Sequence, residues 1–259
     1  LSGGPLAAAE GGPILITPGS QQASSLDPRV FSEITRVLPA GGTVYVLGGS
    51  LALSPNIDAQ LRAQHYVVVR LGGSDEYATA VLIAQQLGNP STVFEATGLN
   101  FADALSAVPA AIVSHGAILL TNGSQQAPET ASYLSTLHPA VRYAIGGPLA
   151  AAGADPSAIP IYGQDLFATS VAVANTFFAN AVNFGVATAV TFQDALSGGV
   201  YMGTPLHRGP MILVNPSAPL PSPVAQYLNS VGARLQNGTI FGGPFAIDNT
   251  VVTALVATT

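Results

Sequence analysis

The sequence predicts an α/β fold made of three tandem copies of one parallel-sheet unit. Three observations carry that prediction. Short runs rich in Val, Ile and Leu alternate with segments of helical periodicity, the same motifs recur in the same order, and Gly- and Pro-rich turns separate them.

The elements follow in chain order. Leu1-Ser2 leads to Ile14-Leu15-Ile16-Thr17, an apolar run suited to a buried parallel strand, and then to Gly19-Ser20-Gln21-Gln22-Ala23. Val44-Tyr45-Val46-Leu47 is the next expected strand, closed by Gly48-Gly49. Leu71-Gly72-Gly73-Ser74-Asp75 introduces a helix over 77–87, whose apolar residues fall three and four apart, with Ser74-Asp75 where a cap belongs. Phe101-Ala102-Asp103-Ala104-Leu105-Ser106 opens the second pass through the pattern. Ile118-Leu119-Leu120-Thr121 repeats the first strand, and Gly123-Ser124-Gln125-Gln126-Ala127 repeats its loop identically at the same offset. Val141 to Ile145 with Gly146-Gly147 repeats the second strand. Ile161 to Ser170 answers Leu71 to Ala80, with a helix expected over 171–178. Phe192 to Ser197, Ile212-Leu213-Val214-Asn215 and Thr239-Ile240-Phe241-Gly242-Gly243 complete the third copy.

These offsets divide the chain into a truncated first repeat over 1–67, a second over 68–158 and a third over 159–259. The first copy begins where Leu105 and Leu196 fall, so its opening third has no counterpart. An incomplete sheet exposes a strand edge or apolar face that proteins normally cover, so a longer chain is expected to be more stable. The start at Leu1, without Met or a signal-peptide pattern, reads as a mature form or an excised fragment. Alternating strands and helices imply right-handed crossovers, and hence Rossmann-like or flavodoxin-like units of roughly 90 residues each.

Composition bounds the partners. Of 259 residues 8% are charged, against roughly 25% in an average soluble protein, while 48% are apolar, with 28 Gly and 20 Pro. There are seven Arg, no Lys and no Cys, and the net charge is −6. Without clustered basic residues a nucleic-acid partner is disfavoured. The longest apolar stretch, 107–120, is interrupted by Pro109, Ser114, His115 and Gly116, so no membrane insertion is expected. The absence of Cys is compatible with export.

Candidate binding residues come from the loops beyond strand ends, where ligands collect in open α/β sheets. Thr17, Gly19, Ser20 and Gln21 in the first copy match Thr121, Asn122, Ser124 and Gln125 in the second, and Asn215 follows the third strand. Glycine admits close backbone approach, hydroxyls donate and accept, and amides do both, a mixture suited to a sugar. The alternative is structural, with Ser20 and Ser124 capping the following helices. Arg70, Arg142, Arg208 and Arg234 could gather in space, or act only as solvated surface charges. Asp103 and Asp194 are expected to cap helices, as are Asp75 and Asp165. The Gly-Gly pairs complete no G-x-G-x-x-G fingerprint and read as tight turns. His65, His115, His138 and His207 lack metal-ligand spacing, and no nucleophile elbow is present, so no metal, cofactor or catalytic residue is expected.

The motif set Arg70-Leu71-Gly72-Gly73-Ser74-Asp75 with Tyr77-Ala78-Thr79-Ala80, Asn100 to Ser106, the Ile118-Leu119-Leu120-Thr121 strand and the Gly146-Gly147 turn resembles the cell-wall-binding repeat 2 family, over nearly the whole chain. The resemblance implies three Rossmann-like lobes in a pseudo-threefold assembly on the bacterial surface. It also implies non-covalent attachment to an anionic secondary wall polymer, with the segments 14–16, 118–120 and 212–214 important for binding. Arg70 keeps the motif's leading Arg. Pro160 replaces it in the next copy, and Glu76 and Leu166 stand where the family usually has a further Arg.

The reading is therefore a non-catalytic, secreted wall-anchoring module that takes a cell-wall secondary polymer or glycan. The rivals are a structural surface-layer or adhesion protein with lattice or self-association contacts, and, further off, a wall hydrolase such as an amidase. Every notable residue either recurs or lacks partners, whereas catalysis needs one asymmetric set.

Overall fold

A computed structural model describes residues 1–258. The first lobe contains α1 (Gly3–Ala9), α2 (Pro28–Val37), β1 (Thr43–Leu47), α3 (Pro55–Ala63) and β2 (Val67–Leu71). The second runs through α4 (Glu76–Gln86), β3 (Thr92–Thr97), α5 (Ala102–Val113), β4 (Ala117–Thr121), α6 (Pro128–Leu137), β5 (Val141–Ile145), α7 (Ala151–Ala154) and β6 (Ile159–Ile161). The third has α8 (Leu166–Phe177), β7 (Asn183–Thr188), α9 (Gln193–Gly203), β8 (Met211–Val214), α10 (Ser222–Val231), β9 (Asn237–Phe241) and α11 (Asn249–Thr258).

The strands form three sheets, ordered β1-β2, β4-β3-β5-β6 and β8-β7-β9, and every pairing is parallel. The expected α/β architecture of three parallel-sheet units is present. Residues 67 and 159, at the expected repeat boundaries, begin β2 and β6, which pair back onto β1 and β5.

Local chemistry starts the helices where the motifs indicated. Asp75 accepts from the Ala78 amide at 2.8 Å and Asp165 from the Ala168 amide at 2.7 Å, capping α4 and α8. In both, the threonine four residues after the cap accepts from the amide of the glycine two residues before the cap, Gly73 or Gly163.

The lobes meet through the equivalent helices α1, α5 and α9, at or beside Leu1, Leu105 and Leu196. A Cβ on Gly4 would lie 2.5 Å from Val108 Cγ1, and one on Gly199 would lie 2.9 Å from Val108 Cβ. Gly4, Val108 and Gly199 are equivalent in the three copies, so one valine fills the centre of the assembly and the two glycines leave room for it. The largest apolar cluster is centred here, drawing Leu105, Val108, Leu196 and Val200 together with Phe94, Ile118 and Met211.

One expected strand is absent. Ile14, Leu15 and Ile16 form no strand and are partly or largely exposed. In the second and third lobes the corresponding segment pairs with a central strand, β3 or β7. The first copy has no equivalent of that strand, and a strand's hydrogen bonds come only from a neighbour. A cavity of about 1360 Å³ occupies the position instead, lined by Leu6, Ile14, Ile16, Val44, Val46 and Leu47 among others.

Candidate functional site: the loop rim of the three lobes

In each lobe a polar loop lies against a Gly-Gly turn. Gly48, Gly146 and Gly242 follow β1, β5 and β9 with φ of 132°, 108° and 120°, a conformation that only glycine adopts without strain. The pairs are turns, as their sequence context indicated. Asp103 and Asp194 make no cap bond. Their carboxylates pack against these turns instead: a Cβ on Gly146 would come 2.5 Å from Asp103 Oδ2, and one on Gly242 would come 2.8 Å from Asp194 Oδ2. Burial pushes Asp103 up to about 6.

Three residues past the first glycine of each turn stands a large apolar side chain in solvent. Leu51 is 71% exposed and Leu149 90%, and Phe245 is fully exposed. Leu99 and Val190, two residues beyond Thr97 and Thr188, add a second exposed apolar group in the second and third lobes. In the second lobe these groups bracket the polar loop, since a Cβ on Gly123 would sit 3.2 Å from Leu99 Cδ1 and 3.8 Å from the Leu149 carbonyl. In the first, Gly19 packs against Ala52 and Leu53 of the equivalent turn. Sequence patterning passes over these apolar tips because single exposed apolar residues are ordinary; their recurrence at one place in all three copies is the signal.

The expected site residues divide into two groups. Gly19, Ser20, Gln21, Asn122, Gln125 and Asn215 are exposed on the rim, and Ser124 is half-buried beside Gly153. Thr121 is sealed inside, its hydroxyl donating to the Gly123 carbonyl at 2.9 Å, and Asn122 and Gln125 close a tight turn through their backbones. Thr17 accepts from the Asp27 amide at 3.3 Å. Ser20 and Ser124 cap no helix, because Asp27 and Ala127 hold those positions.

Arg70 stands away from the rim. Its guanidinium donates to both carboxylate oxygens of buried Asp58, to the Gly48 carbonyl at 2.7 Å and to the Ser54 carbonyl at 3.3 Å, tying α3 to the first sheet. Arg142 pairs with Asp155 at 2.8 Å in the second lobe, while Arg208 and Arg234 are exposed in the third. The segments 118–120 and 212–214 are buried, so they build the sheets that present the loops.

By strand register the third copy is offset one residue from the sequence match. Leu119 lies beside Glu95 and Ile212 beside Val186, while Glu95 and Val186 face Ala144 and Ile240, each two residues before its Gly-Gly turn. Asn215 therefore corresponds to Asn122.

Beneath the rim of the second lobe lies a cluster that motif reading missed. Glu95 is completely buried, and its Oε2 accepts from Gln126 Nε2 at 2.6 Å. Burial, with Asp155 alongside, pushes Glu95 up to about 8. Asp155 is held low by Ser157 and Arg142, against the effect of its own burial. A lone charged residue, Glu95, inside the strand 92–97 was the available sequence signal. Among the described residues no group of three or more His, Cys, Asp or Glu is placed to hold a metal, and no helix is long and apolar enough to cross a membrane.

The family model for Cell wall binding domain 2 (CWB2) matches residues 1–58, 70–152 and 161–252. Over 147 residues the chain is 26% identical to N-acetylmuramoyl-L-alanine amidase LytC of Bacillus subtilis (strain 168), covering 57% of this chain and 28% of that protein. It is 29% identical over 117 residues to the amidase enhancer of the same organism, covering 45% of this chain and 16% of that one. The chain thus spans less than a third of these curated relatives. The fold is similar to Cwp6 from Clostridium difficile, with TM-score 0.81 and 19% identity over 98% of this chain and 41% of that one. It is also similar to Cwp8 from the same organism, with TM-score 0.81 and 21% identity over 99% and 44%.

Proposed function

Because the chain belongs to the Cell wall binding domain 2 family, whose model matches it in three segments, we propose that it is a non-catalytic module anchoring a secreted protein to the cell wall by non-covalent contact with a secondary polymer or glycan. The observation that carries this reading is the repeated rim, with Leu51, Leu149 or Phe245 exposed on each Gly-Gly turn beside a loop bearing Gln, Asn or Ser. A pyranose presents an apolar C–H face and a circle of hydroxyls. An exposed Leu or Phe meets the first, and amide side chains donate and accept with the second. The net charge of −6, with Arg70 and Arg142 engaged in ion pairs inside their lobes, favours an uncharged stretch of polymer over a phosphate-rich one.

Three weak sites on one rigid body gain by avidity, since binding at one lobe raises the effective polymer concentration at the next. The test is co-sedimentation with purified cell walls before and after acid extraction of secondary polymers. The parent chain pellets with intact walls and stays in solution with extracted ones. Single substitutions Leu51→Ala, Leu149→Ala or Phe245→Ala weaken pelleting modestly. The triple variant, with an unchanged melting temperature, loses on the order of a hundredfold in apparent affinity. Failure of the parent to pellet with intact walls overturns the reading, and release of soluble fragments from purified peptidoglycan overturns its non-catalytic part. Self-association into a surface lattice would draw on the same exposed tips, and ordered arrays forming without wall material would favour it.

A further inference from the structure

The second lobe departs from its neighbours in one concerted way. Where the first lobe carries the nine-residue α3 and the third the ten-residue α11, the second has only the four-residue α7. Ile57 and Val251, buried on those longer helices, correspond to Asp155, counted from the Gly-Gly turns. Three further positions change with it. Val186 of β7 corresponds to Glu95, Val44 of β1 to Arg142, and, counted from the helix starts because the first loop runs four residues longer beyond its sequence match at Gln22, Leu26 and Leu220, each two residues before a helix, to Gln126. Leu61 and Leu255, one turn further along α3 and α11, have no helical counterpart. Leu26, Val44, Ile57 and Leu61 in the first lobe and Val186, Leu220, Val251 and Leu255 in the third belong to apolar clusters, and Gly238 stands at the Arg142 position of the third.

The missing helix leaves an open crevice of about 480 Å³ between α6, β5 and the end of α7, lined by Gln126, Leu134, His138, Arg142 and Asp155 among others. Asp155 is 7% exposed. The Oε1 of Gln126 is buried without a hydrogen-bond partner, while Asp155 Oδ2 is ion-paired with the Arg142 guanidinium at 2.8 Å and lies against the Glu95 carboxyl. Buried polar groups without partners are costly. A cluster of four polar residues in place of an apolar core, open to solvent on one side and carrying an unused amide acceptor, has the form of a ligand site.

We infer that this crevice is a binding site for a single neutral sugar residue, present in the second lobe alone. This rests on the wall-glycan reading above and deepens it by naming the ligand class. Planar amide, carboxylate and guanidinium groups pair with adjacent hydroxyls, with Gln126 Oε1 as the free acceptor and Asp155 shared with Arg142, and Leu134 and Pro139 supply an apolar wall. The local charges decide against an anion. Arg142 is balanced by Asp155, and Glu95 behind them is kept protonated near neutral pH by burial. A sugar phosphate or uronic acid would meet no surplus positive charge.

The experiment uses the whole chain, labelled with ¹⁵N, and follows the Gln126 side-chain amide and the Arg142 Nε–H. The probes are glucose, galactose, N-acetylglucosamine and N-acetylgalactosamine, with glycerol 3-phosphate as the anionic comparison. At least one neutral sugar is expected to shift these resonances saturably. The variant Gln126→Leu, which places there the residue found two positions before the corresponding helix in the other two lobes, is expected to bind it about tenfold more weakly, as for loss of one well-placed hydrogen bond, while keeping the parent's backbone amide spectrum. The inference is overturned if no neutral sugar moves these resonances, if only glycerol 3-phosphate does, or if Gln126→Leu binds as the parent does. Wall co-sedimentation in parallel separates the two claims, because a chain that still pellets while the crevice stays silent loses the crevice site and keeps the anchoring function.

Discussion

Glu95→Gln isolates the electrostatics of the second lobe. Folded, Glu95 holds its proton up to about pH 8; its ordinary value, which the unfolded chain restores, is 4.5. A carboxyl raised in the folded state stabilises the fold fully below the unfolded value. That stability is lost as pH climbs toward the folded value and is constant above it. Each tenfold difference in proton affinity is worth about 1.4 kcal/mol, which sets a ceiling of about 4 kcal/mol between about pH 5 and 8. Relaxation and water entering through the crevice reduce this to about 1–3 kcal/mol. The glutamine keeps the shape, accepts from Gln126 and donates to Asp155, and cannot ionise. Urea unfolding of both proteins across that range is expected to give similar stabilities near pH 5, with the variant ahead by about 1–3 kcal/mol near pH 8. Asp103, also raised by burial, is common to both proteins and cancels in the difference. Asp27, Asp155 and Asp248 are held below their ordinary values, so the stability they add is lost only as pH falls below about 4. A difference curve flat to within about 0.5 kcal/mol would refute the claim that Glu95 is kept neutral by its surroundings.

Two further outcomes concern the framework. Gly199→Val drives a side chain into Val108 at the centre of the three lobes and should cost about 1–3 kcal/mol or more, read as a lowered urea midpoint; an unchanged midpoint would mean the α5–α9 contact is looser than described. Arg70→Ala leaves buried Asp58 without its main partner and should cost about 2–4 kcal/mol by thermal or urea unfolding, whereas a substitution at a solvated surface arginine would cost almost nothing.

The sequence by itself determined the count of three copies, the parallel α/β character, the Asp75 and Asp165 caps and the Gly-Gly turns. These are signals of short range or of repetition, carried by residues a few positions apart or by the same words recurring. Tertiary structure decided what depended on partners distant in the chain. Ile14-Leu15-Ile16 has the composition of a strand but forms none, because no neighbouring strand offers hydrogen bonds. Arg70 has the look of a surface cation, yet Asp58 and two carbonyls gather it into the first lobe. The one-residue offset of the third copy comes from strand register, which local identity does not encode. Residues 95, 126, 142 and 155 are scattered along the sequence and come together only when β3, β5 and the ends of α6 and α7 are packed. Their common meaning, a polar crevice where a helix is missing, exists only in three dimensions, because burial and unmet hydrogen bonds belong to the packed lobe and not to any one stretch of chain.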